Sequence, residues 1–258
     1  STSRIFNYLV NGYLDYNLTS ENGSRLSAIV GTSYQKSNSV LTFRQARVNS
    51  VAVLEDLPES DPTLLELPVP GSAFSFLSYY GRVNYTINRK YSLQLSGRAD
   101  GSSKFGEDNR YGFFPAVSAG WNISNESFLS GSERLSFLKL KASYGIVGNT
   151  PDADFLYRQN YFNVFYGNNE GIRLANLSNS ELKWEETAQL DIGVDFGFFS
   201  DKISGSVNYY NKKTTDLIFP VPVSQTSGFG SVFKNVGSLT NAGFPFALSS
   251  ITVDRSNF

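Results

Sequence analysis

The side chains on which most nucleophilic and metal chemistry depends are missing from this chain. Its 258 residues include no His and no Cys. The chain therefore cannot form a Ser-His-Asp triad, a thiolate nucleophile or a zinc site built from thiolate and imidazole groups. We expect no catalytic residue, no bound cofactor and no metal site.

Carboxylate pairs are the remaining candidates for catalysis, and their spacing argues against it. Asp191 and Asp195 lie on one face of a predicted strand, where four residues separate two side chains by about 13 Å. Glycoside hydrolysis needs carboxyl groups about 5–9.5 Å apart. The adjacent Glu185 and Glu186 face opposite sides of their strand. We interpret these carboxylates as parts of a polar surface.

The segment Asp100-Gly101-Ser102-Ser103 has a composition that suits a cation-binding or phosphate-binding loop. No series of acidic residues at metal-ligand spacing follows it. We therefore predict a turn that leads out of a strand.

The best candidates for ligand contact are aromatic residues in a predicted loop between residues 155 and 166. Exposed aromatic rings offer large apolar faces that can stack on sugars or pack against a protein that covers the loop. Packing of these rings among the loops is the alternative. The candidates are Tyr157, Tyr161, Phe162, Phe165 and Tyr166.

The composition excludes broad function classes and favours strands. Lys and Arg number 22 against 23 Asp and Glu, so there is no broad cationic field for nucleic acid. Charged residues make up 17%, below the roughly 25% of soluble domains. No apolar run approaches the roughly 18 residues that a membrane helix needs. Aromatic residues nevertheless make up 15% of the chain, which suits alternating strands.

Apolar and polar side chains alternate along about nine segments, as they do when successive residues point to opposite faces of a sheet. The first segment is 14 residues long, whereas soluble strands are usually about five or six. The predicted strands cover residues 5–18, 25–35, 77–87, 91–100, 116–123, 138–146, 188–198, 203–210 and, with a poorer pattern, 244–253.

The lengths of the predicted connections alternate. Short ones lie near residues 19–23, 88–90, 124–134 and 200–202, and longer ones span about 37–76, 101–113, 148–184 and 216–241. If neighbouring strands pair in order, every short turn lies at one end of the sheet and every long loop at the other. Short periplasmic turns and long extracellular loops are typical of an antiparallel, up-and-down transmembrane β-barrel.

The two faces of the predicted strands fit the two environments of such a barrel. Strands can cross a lipid bilayer only in a closed sheet, because every backbone polar group must be paired there. The charged residues predicted to line the interior are Arg82, Arg98, Lys139, Lys141, Asp191 and Asp195. The aromatic residues predicted at the membrane interface are Tyr16, Tyr34, Tyr91, Trp184 and Phe198.

The stretch LSGRADGSSKFGEDNRYGFFPAVSAGWNISNESFL, residues 95–129, resembles a signature of the SusC/RagA family of TonB-dependent outer-membrane transporters. Ala116 stands where that family has serine, and Pro245 where it usually has a polar residue, which suggests an edge or an irregular strand start. Further similar segments are LKLKASYGIVGN at 138–149, WEETAQLDIGVDFGFF at 184–199, ISGSVNYYNKKTTDLI at 203–218 and GFGSVFKNVGSLTNAGF at 228–244.

This resemblance implies a 22-stranded barrel in the cell outer membrane with an N-terminal plug. It also implies a SusD-like lipoprotein partner, energy from the TonB–ExbB–ExbD complex through the N-terminal part, and uptake of oligosaccharides or peptides. Nine strands are too few to close such a barrel. We interpret residues 1–258 as a partial barrel domain, without the plug and the C-terminal strands.

Two other functions remain open from the sequence. The linker asymmetry fits a structural or adhesive outer-membrane barrel without active transport equally well. A soluble carbohydrate-binding β-protein would instead bury the apolar faces of its strands in a core.

Overall fold

The computed structural model describes residues 2–46, 64–129, 132, 134–166 and 169–251. Regular structure in these ranges consists of β-strands and three single-turn 3-10 helices. Among these residues we find no helix with the length and apolar character to cross a membrane.

One antiparallel sheet contains most of the strands, in the spatial order β1-β2-β3-β4-β5-β6-β9-β10-β13, with β14 also paired to β10. The strands of this sheet are β1 (Thr2–Thr19), β2 (Arg25–Ala46), β3 (Leu64–Ile87), β4 (Tyr91–Ser102), β5 (Tyr111–Asn122), β6 (Leu135–Asn149), β9 (Glu185–Phe198), β10 (Ile203–Thr215), β13 (Ser238–Gly243) and β14 (Phe246–Ser250). Two separate hairpins are β7 (Tyr161–Tyr166) with β8 (Asn169–Leu174), and β11 (Ile218–Pro222) with β12 (Ser231–Asn235). All nine predicted strands are present, and the sheet is antiparallel as expected.

Tight turns join β1 to β2, β3 to β4 and β9 to β10 at one end of the sheet, which we call the turn end. Asn88 and Arg89 both have positive φ between β3 and β4, at 49° and 59°, as the two-residue turns that match strand twist require. Gly23 supplies φ of 80° between β1 and β2, a conformation that glycine adopts without a steric penalty.

At the opposite end, the loop end, lie the connections 103–110, 150–184 and 216–237, and the strands that flank each of them are neighbours in the sheet. β2 ends there at Ala46, and β3 begins there at Leu64. The predicted separation of short and long connections is confirmed with one exception, since the connection 123–134 at the turn end is longer than the connection 103–110 at the loop end.

The strands extend further toward the loop end than the sequence predicted. The predicted linker 37–76 is mostly strand, because β2 continues to Ala46 and β3 begins at Leu64. In these parts of β2 and β3 apolar and polar residues do not alternate regularly. Periodicity therefore did not indicate that the two strands pair there. The acidic, proline-rich stretch 55–70 enters β3 in its last seven residues, and residues 55–63 lie outside the described part of the chain.

The apolar face of the sheet is uncovered. Leu14 is 75% exposed and Leu95 52% exposed, and Leu93, Ile192 and Val207 are also exposed. In a soluble sandwich these side chains would form the core. The uncovered apolar face argues against the alternative of a soluble carbohydrate-binding β-protein, and it has the character of a lipid-facing surface.

The sheet does not close on itself in the described residues. β1 pairs only with β2, and β13 and β14 pair only with β10, so both edges remain free. Backbone groups at a free edge cannot stay unpaired in hydrocarbon. The sheet is consistent with part of the wall of a larger barrel.

Pro245 explains the break between β13 and β14. The register of β13 and β14 against β10 is continuous across the break, and Asn208 N donates to Pro245 O at 3.0 Å. The proline has no N–H to return the second hydrogen bond. The predicted irregularity at Pro245 is confirmed as an interruption within one strand.

Candidate functional site at the loop end

A small aromatic core holds the loops together at the inner side of the loop end. The buried members are Phe105, Phe114, Leu182 and Trp184. The Trp184 ring lies 5.1 Å from the Phe105 ring and 5.3 Å from the Phe114 ring. Its Nε1 donates to the carbonyl of Arg110 at 3.2 Å. The prediction that Trp184 lies at the membrane interface is wrong, because its ring joins two loops and a strand.

Phe114 fits this core because two neighbouring positions have no side chain. A Cβ at Gly148 would lie 2.0 Å from the Phe114 ring, and one at Gly112 would lie 2.4 Å from it. The ring therefore lies flat across β5 and β6 toward Trp184. The glycines of the two sequence motifs RYGFFP and YGIVGN make this approach possible.

A buried ion pair joins two of the loops to β3. Lys104 Nζ lies 3.3 Å from Asp154 Oδ1, and the two side chains are only 9% and 8% exposed. The same ammonium donates to the carbonyls of Pro151 and Asp152 at 2.7 and 3.1 Å. Asp154 Oδ2 accepts from Ala73 N at 2.7 Å. The charges are thus compensated on both sides, as burial requires.

The predicted turn at residues 100–103 begins later than expected. Asp100, Gly101 and Ser102 still belong to β4, and Ser102 is fully buried. Ser102 Oγ accepts from Lys104 N at 3.2 Å, and Ser103 Oγ accepts from Ser75 N at 2.9 Å. This motif shapes the loop that carries Lys104.

The hairpin of β11 and β12 is fastened to the segment before β9. Asn235 Nδ2 donates to the carbonyls of Lys183 and Asp216, each at 2.8 Å. Glu185 Oε1 accepts from Ile218 N at 2.7 Å. Glu185 therefore has a structural role. This role is compatible with its interpretation as part of a polar surface in the sequence analysis. The loop end is a structured assembly of three connections.

A cavity of about 310 Å³ opens on the inner face below this core. Arg98 Nε donates to both oxygens of Asp100, at 2.6 and 2.8 Å, and Arg98 Nη2 donates to Ser78 Oγ at 2.7 Å. Asn149 and Trp184 also line the cavity. The combination of amide, hydroxyl and aromatic groups suits a polar ligand with apolar faces, such as a sugar or a peptide backbone.

The predicted interior charges all lie on the inner face. Register places Lys139 opposite Asp195, Ser143 opposite Asp191 and Arg82 opposite Ser96. Lys141 Nζ lies 2.7 Å from Asp195 Oδ1. Arg98 shares this face through its contacts with Asp100 and Ser78. The inner face is polar and partly charged along its whole height.

The five predicted ligand-contact residues do not form one surface. Tyr161 and Phe162 are each 56% exposed, but they are consecutive in β7 and point to opposite sides of the hairpin. Tyr157 packs against the aromatic core. The backbones of Phe165 and Tyr166 end β7 opposite Glu170 and Asn169. The predicted loop is therefore partly a hairpin that is separate from the main sheet.

A carboxylate organises the turn end in a comparable way. Glu126 accepts hydrogen bonds from Tyr91 Oη at 2.7 Å, Lys90 Nζ at 2.8 Å and Trp121 Nε1 at 3.1 Å. Hydrogen bonding by Lys90, then Tyr91 and Trp121, lowers the pKa of Glu126 to about 2. The rings of Tyr91 and Trp121 stack at 6.2 Å. Glu126 therefore pins the 123–134 connection to the aromatic side chains of β4 and β5.

We expect the stability of the barrel to depend on Glu126 in acid. Because its pKa falls from 4.5 to about 2 on folding, its stabilising effect is complete above pH 4.5 and is lost as pH falls toward 2. Glu126→Gln should lower the thermal midpoint of the full-length protein at pH 6, and the difference from the unmodified protein should vanish near pH 2. Glu107→Gln, at an exposed residue, is the control and should change neither midpoint. A pH-independent effect of Glu126→Gln would contradict this assignment.

Sequence patterns gave no signal for Lys104, Asp154 or Glu126. Lys104 and Asp154 are 50 positions apart in loops without periodicity, and only the folded loops bring them together. Within the described residues, no group of three or more Asp or Glu side chains has a geometry that could hold a metal ion.

The fold and the inner face define a class of protein: a wall section of a membrane β-barrel with structured loops at one end. The sequence profile of the family "TonB dependent receptor-like, beta-barrel" matches residues 1–252. The chain belongs to the TonB-dependent receptor family.

Curated relatives include proteins named as TonB-dependent receptors. The chain is 38% identical to TonB-dependent receptor P26 of Formosa agariphila over 91% of this chain and 24% of that protein. It is 34% identical to TonB-dependent receptor SusC of Bacteroides thetaiotaomicron over 77% of this chain and 21% of that protein. The chain thus spans about a quarter of the length of these relatives.

Solved structures agree with this assignment. The RagAB peptide transporter matches with a TM-score of 0.86 and 26% identity, over 98% of this chain and 28% of the matched chain. The ferripyoverdine receptor of Pseudomonas aeruginosa matches with a TM-score of 0.59 and 15% identity, over 98% and 31% of the two chains, which shows a shared fold. The resemblance to the SusC/RagA family is confirmed.

Proposed function

We propose that this chain is part of the barrel of a SusC-like, TonB-dependent importer in the outer membrane that takes up glycan or peptide oligomers. The observation that carries the proposal is the similarity to the RagAB peptide transporter, at a TM-score of 0.86, compared with 0.56 to 0.59 for two siderophore receptors and a ferripyoverdine receptor. The curated relative SusC supports the same type of importer.

The geometry supports a passive role of this wall section in transport. Its inner face offers hydrogen-bonding groups and a cavity beside Arg98 and Trp184, while its outer face is apolar. The loop end, which we place outside the cell, is held together by the aromatic core and the Lys104–Asp154 ion pair and can present a binding surface. A SusD-like lipoprotein would cover this end, and TonB–ExbB–ExbD would act through the N-terminal part of the full-length protein.

The test of this proposal is uptake by cells that carry the full-length gene. Deletion of that gene, or of the cell's tonB gene, should abolish uptake of fluorescently labelled oligosaccharide or oligopeptide, and the gene supplied in trans should restore it. The structural or adhesive alternative would be favoured if the barrel is present in the membrane of the unmodified strain and deletion of its gene leaves uptake of both substrate classes unchanged.

The exposed aromatic residues of the β7–β8 hairpin offer a second prediction. If they contact substrate, the double variant Tyr161→Ala/Phe162→Ala should weaken oligomer binding about tenfold or more, as loss of aromatic contacts at a binding site does. Because both rings are exposed, stability should change by about 0.5 kcal/mol or less. Calorimetric titration of the full-length protein measures the affinity.

The control for this prediction is an exposed apolar residue of the same hairpin that is not aromatic. Ile172→Ala removes an exposed apolar side chain from β8 and should leave oligomer affinity within about twofold, a difference under 0.5 kcal/mol. Equal affinities of the double variant and the unmodified protein would remove the hairpin from the binding site.

A further inference from the structure

The charges that line the inner-face cavity beside Trp184 cancel each other. Among the described residues that line this cavity of about 310 Å³, only Arg98 and Asp100 are charged. Arg98 Nε donates to both carboxylate oxygens of Asp100, and the guanidinium carbon lies 5.6 Å from the centroid of the Tyr80 ring. The cavity therefore presents no net charge. A charged group of a ligand would lose its hydration there without an opposite charge to compensate it.

Other polar side chains of the cavity are available to a ligand. Ser33, Gln35 and Thr150 line it, and within the described ranges their side chains form no hydrogen bond. Asn149 Nδ2 donates to Glu185 Oε2 at 2.9 Å, which leaves Asn149 Oδ1 as an acceptor. Hydroxyl and amide groups both donate and accept hydrogen bonds, as the hydroxyl groups of a sugar do. The cavity thus suits a ligand that has many hydroxyl groups and no charge.

Two aromatic rings give the cavity an apolar side. Phe76 and Trp184 line it, and their ring centroids are 6.4 Å apart. Gln35 is paired with Phe76 in the register of β2 and β3, so the two side chains are neighbours on the inner face. A sugar ring has C–H groups on its faces and hydroxyl groups on its rim, so it fits an aromatic ring that lies next to hydrogen-bonding groups.

The backbone of most of the cavity wall is not available for capturing a peptide. Proteins often bind an extended peptide by adding it as a strand to a free sheet edge. At Gln35, Ser78 and Asp100, the strands β2, β3 and β4 are paired with neighbours on both sides, so these three strands offer no such edge. The fourth wall strand is β6, where the Phe114 ring lies against Gly148. Recognition in the cavity therefore depends on side chains.

We infer that this cavity binds one uncharged sugar unit of an oligosaccharide and that Gln35 determines this specificity. The inference rests on the proposed importer function and narrows its substrate from oligomers in general to uncharged oligosaccharides. Gln35 has this role because its amide is uncommitted and lies beside Phe76. It can therefore bond a hydroxyl group of a sugar whose face meets the ring.

The experiment offers the full-length protein in detergent a mixture of hexamers and identifies the bound species by native mass spectrometry. The mixture contains uncharged hexasaccharides of glucose, mannose, galactose and xylose, hexagalacturonic acid, and a hexapeptide library. The unmodified protein should retain an uncharged hexasaccharide. Gln35→Leu should bind that hexasaccharide about tenfold more weakly in calorimetric titration, as expected for loss of a hydrogen bond to the ligand.

Gln94→Leu is the matched control, because it makes the same chemical change on the same inner face. Gln94 is four residues from Arg98 along β4, about 13 Å, and it does not line this cavity. Gln94→Leu should keep the affinity for the hexasaccharide within about twofold.

Gln35→Arg separates loss of specificity from loss of folding, because a gain of binding is expected. The variant adds a positive charge that no neighbouring carboxylate of the cavity already compensates. It should bind hexagalacturonic acid at least about tenfold more tightly than the unmodified protein does, since a guanidinium pairs strongly with a carboxylate.

Three outcomes would overturn this assignment. Retention of hexagalacturonic acid or of peptides instead of an uncharged hexasaccharide would assign the cavity to another ligand. Retention of none of the uncharged hexasaccharides would remove the sugar site. Equal affinities of Gln35→Leu and Gln94→Leu would place the sugar elsewhere. If deletion of the gene abolishes uptake of peptides alone, the importer function stands and only the sugar assignment falls.

Discussion

Leu95→Arg is expected to reduce assembly of the full-length barrel strongly, whereas Gln94→Arg is not. Leu95 points to the membrane face of β4 and is exposed there, while the neighbouring Gln94 points to the polar interior. An arginine on the lipid face near the bilayer midplane costs about 2–4 kcal/mol. The same side chain in the interior can reach water. The two variants therefore place the same arginine at adjacent positions of β4, on opposite faces of the sheet.

The measurement is the amount of folded, heat-modifiable protein in isolated outer membranes. Leu95→Arg should lower this amount several-fold relative to Gln94→Arg, which should stay close to the unmodified protein. Similar losses in both variants would mean that the assignment of the two faces is wrong. That result would also contradict a closed barrel with a lipid-facing outer surface.

Asp154→Ala is expected to loosen the loop end without unfolding the sheet. Removing one partner of a buried ion pair costs about 3–5 kcal/mol, because the other charge stays buried without compensation. The Lys104 ammonium would remain under the Phe74 ring, 4.9 Å from its centroid. Local opening of the loops should then become about a hundredfold more frequent, which corresponds to about 3 kcal/mol.

Hydrogen exchange of the full-length protein, measured by mass spectrometry, reports this opening. Peptides that contain Phe105 or Trp184 should exchange about a hundredfold faster in Asp154→Ala, and peptides from the middle of β4 and β9 should be unchanged. Asp152→Ala is the control, because Lys104 contacts only the backbone carbonyl of Asp152. Unchanged exchange at the loop end would show that the ion pair does not hold the loops.

These two predictions concern the faces of β4 and the ion pair at the loop end. The sequence alone indicated the first of these features and not the second. The faces of β4 follow from the alternation of Leu93, Gln94 and Leu95, which can be recognised in the sequence itself. Nothing in the sequence relates Lys104 to Asp154. The aromatic hairpin is an intermediate case: the residues were identified as exposed candidates, but their division between two faces was not.

The sequence by itself determined the strands of the sheet, their two faces and the ends at which turns and loops lie. This was possible because strand geometry places alternate residues on opposite faces, so local periodicity reports environment. The tertiary structure alone decided the loop-end core around Trp184, the Lys104–Asp154 pair and the two hairpins. Each of these depends on residues from different strands or loops that meet only when the sheet is assembled, and no period in the sequence encodes such a meeting.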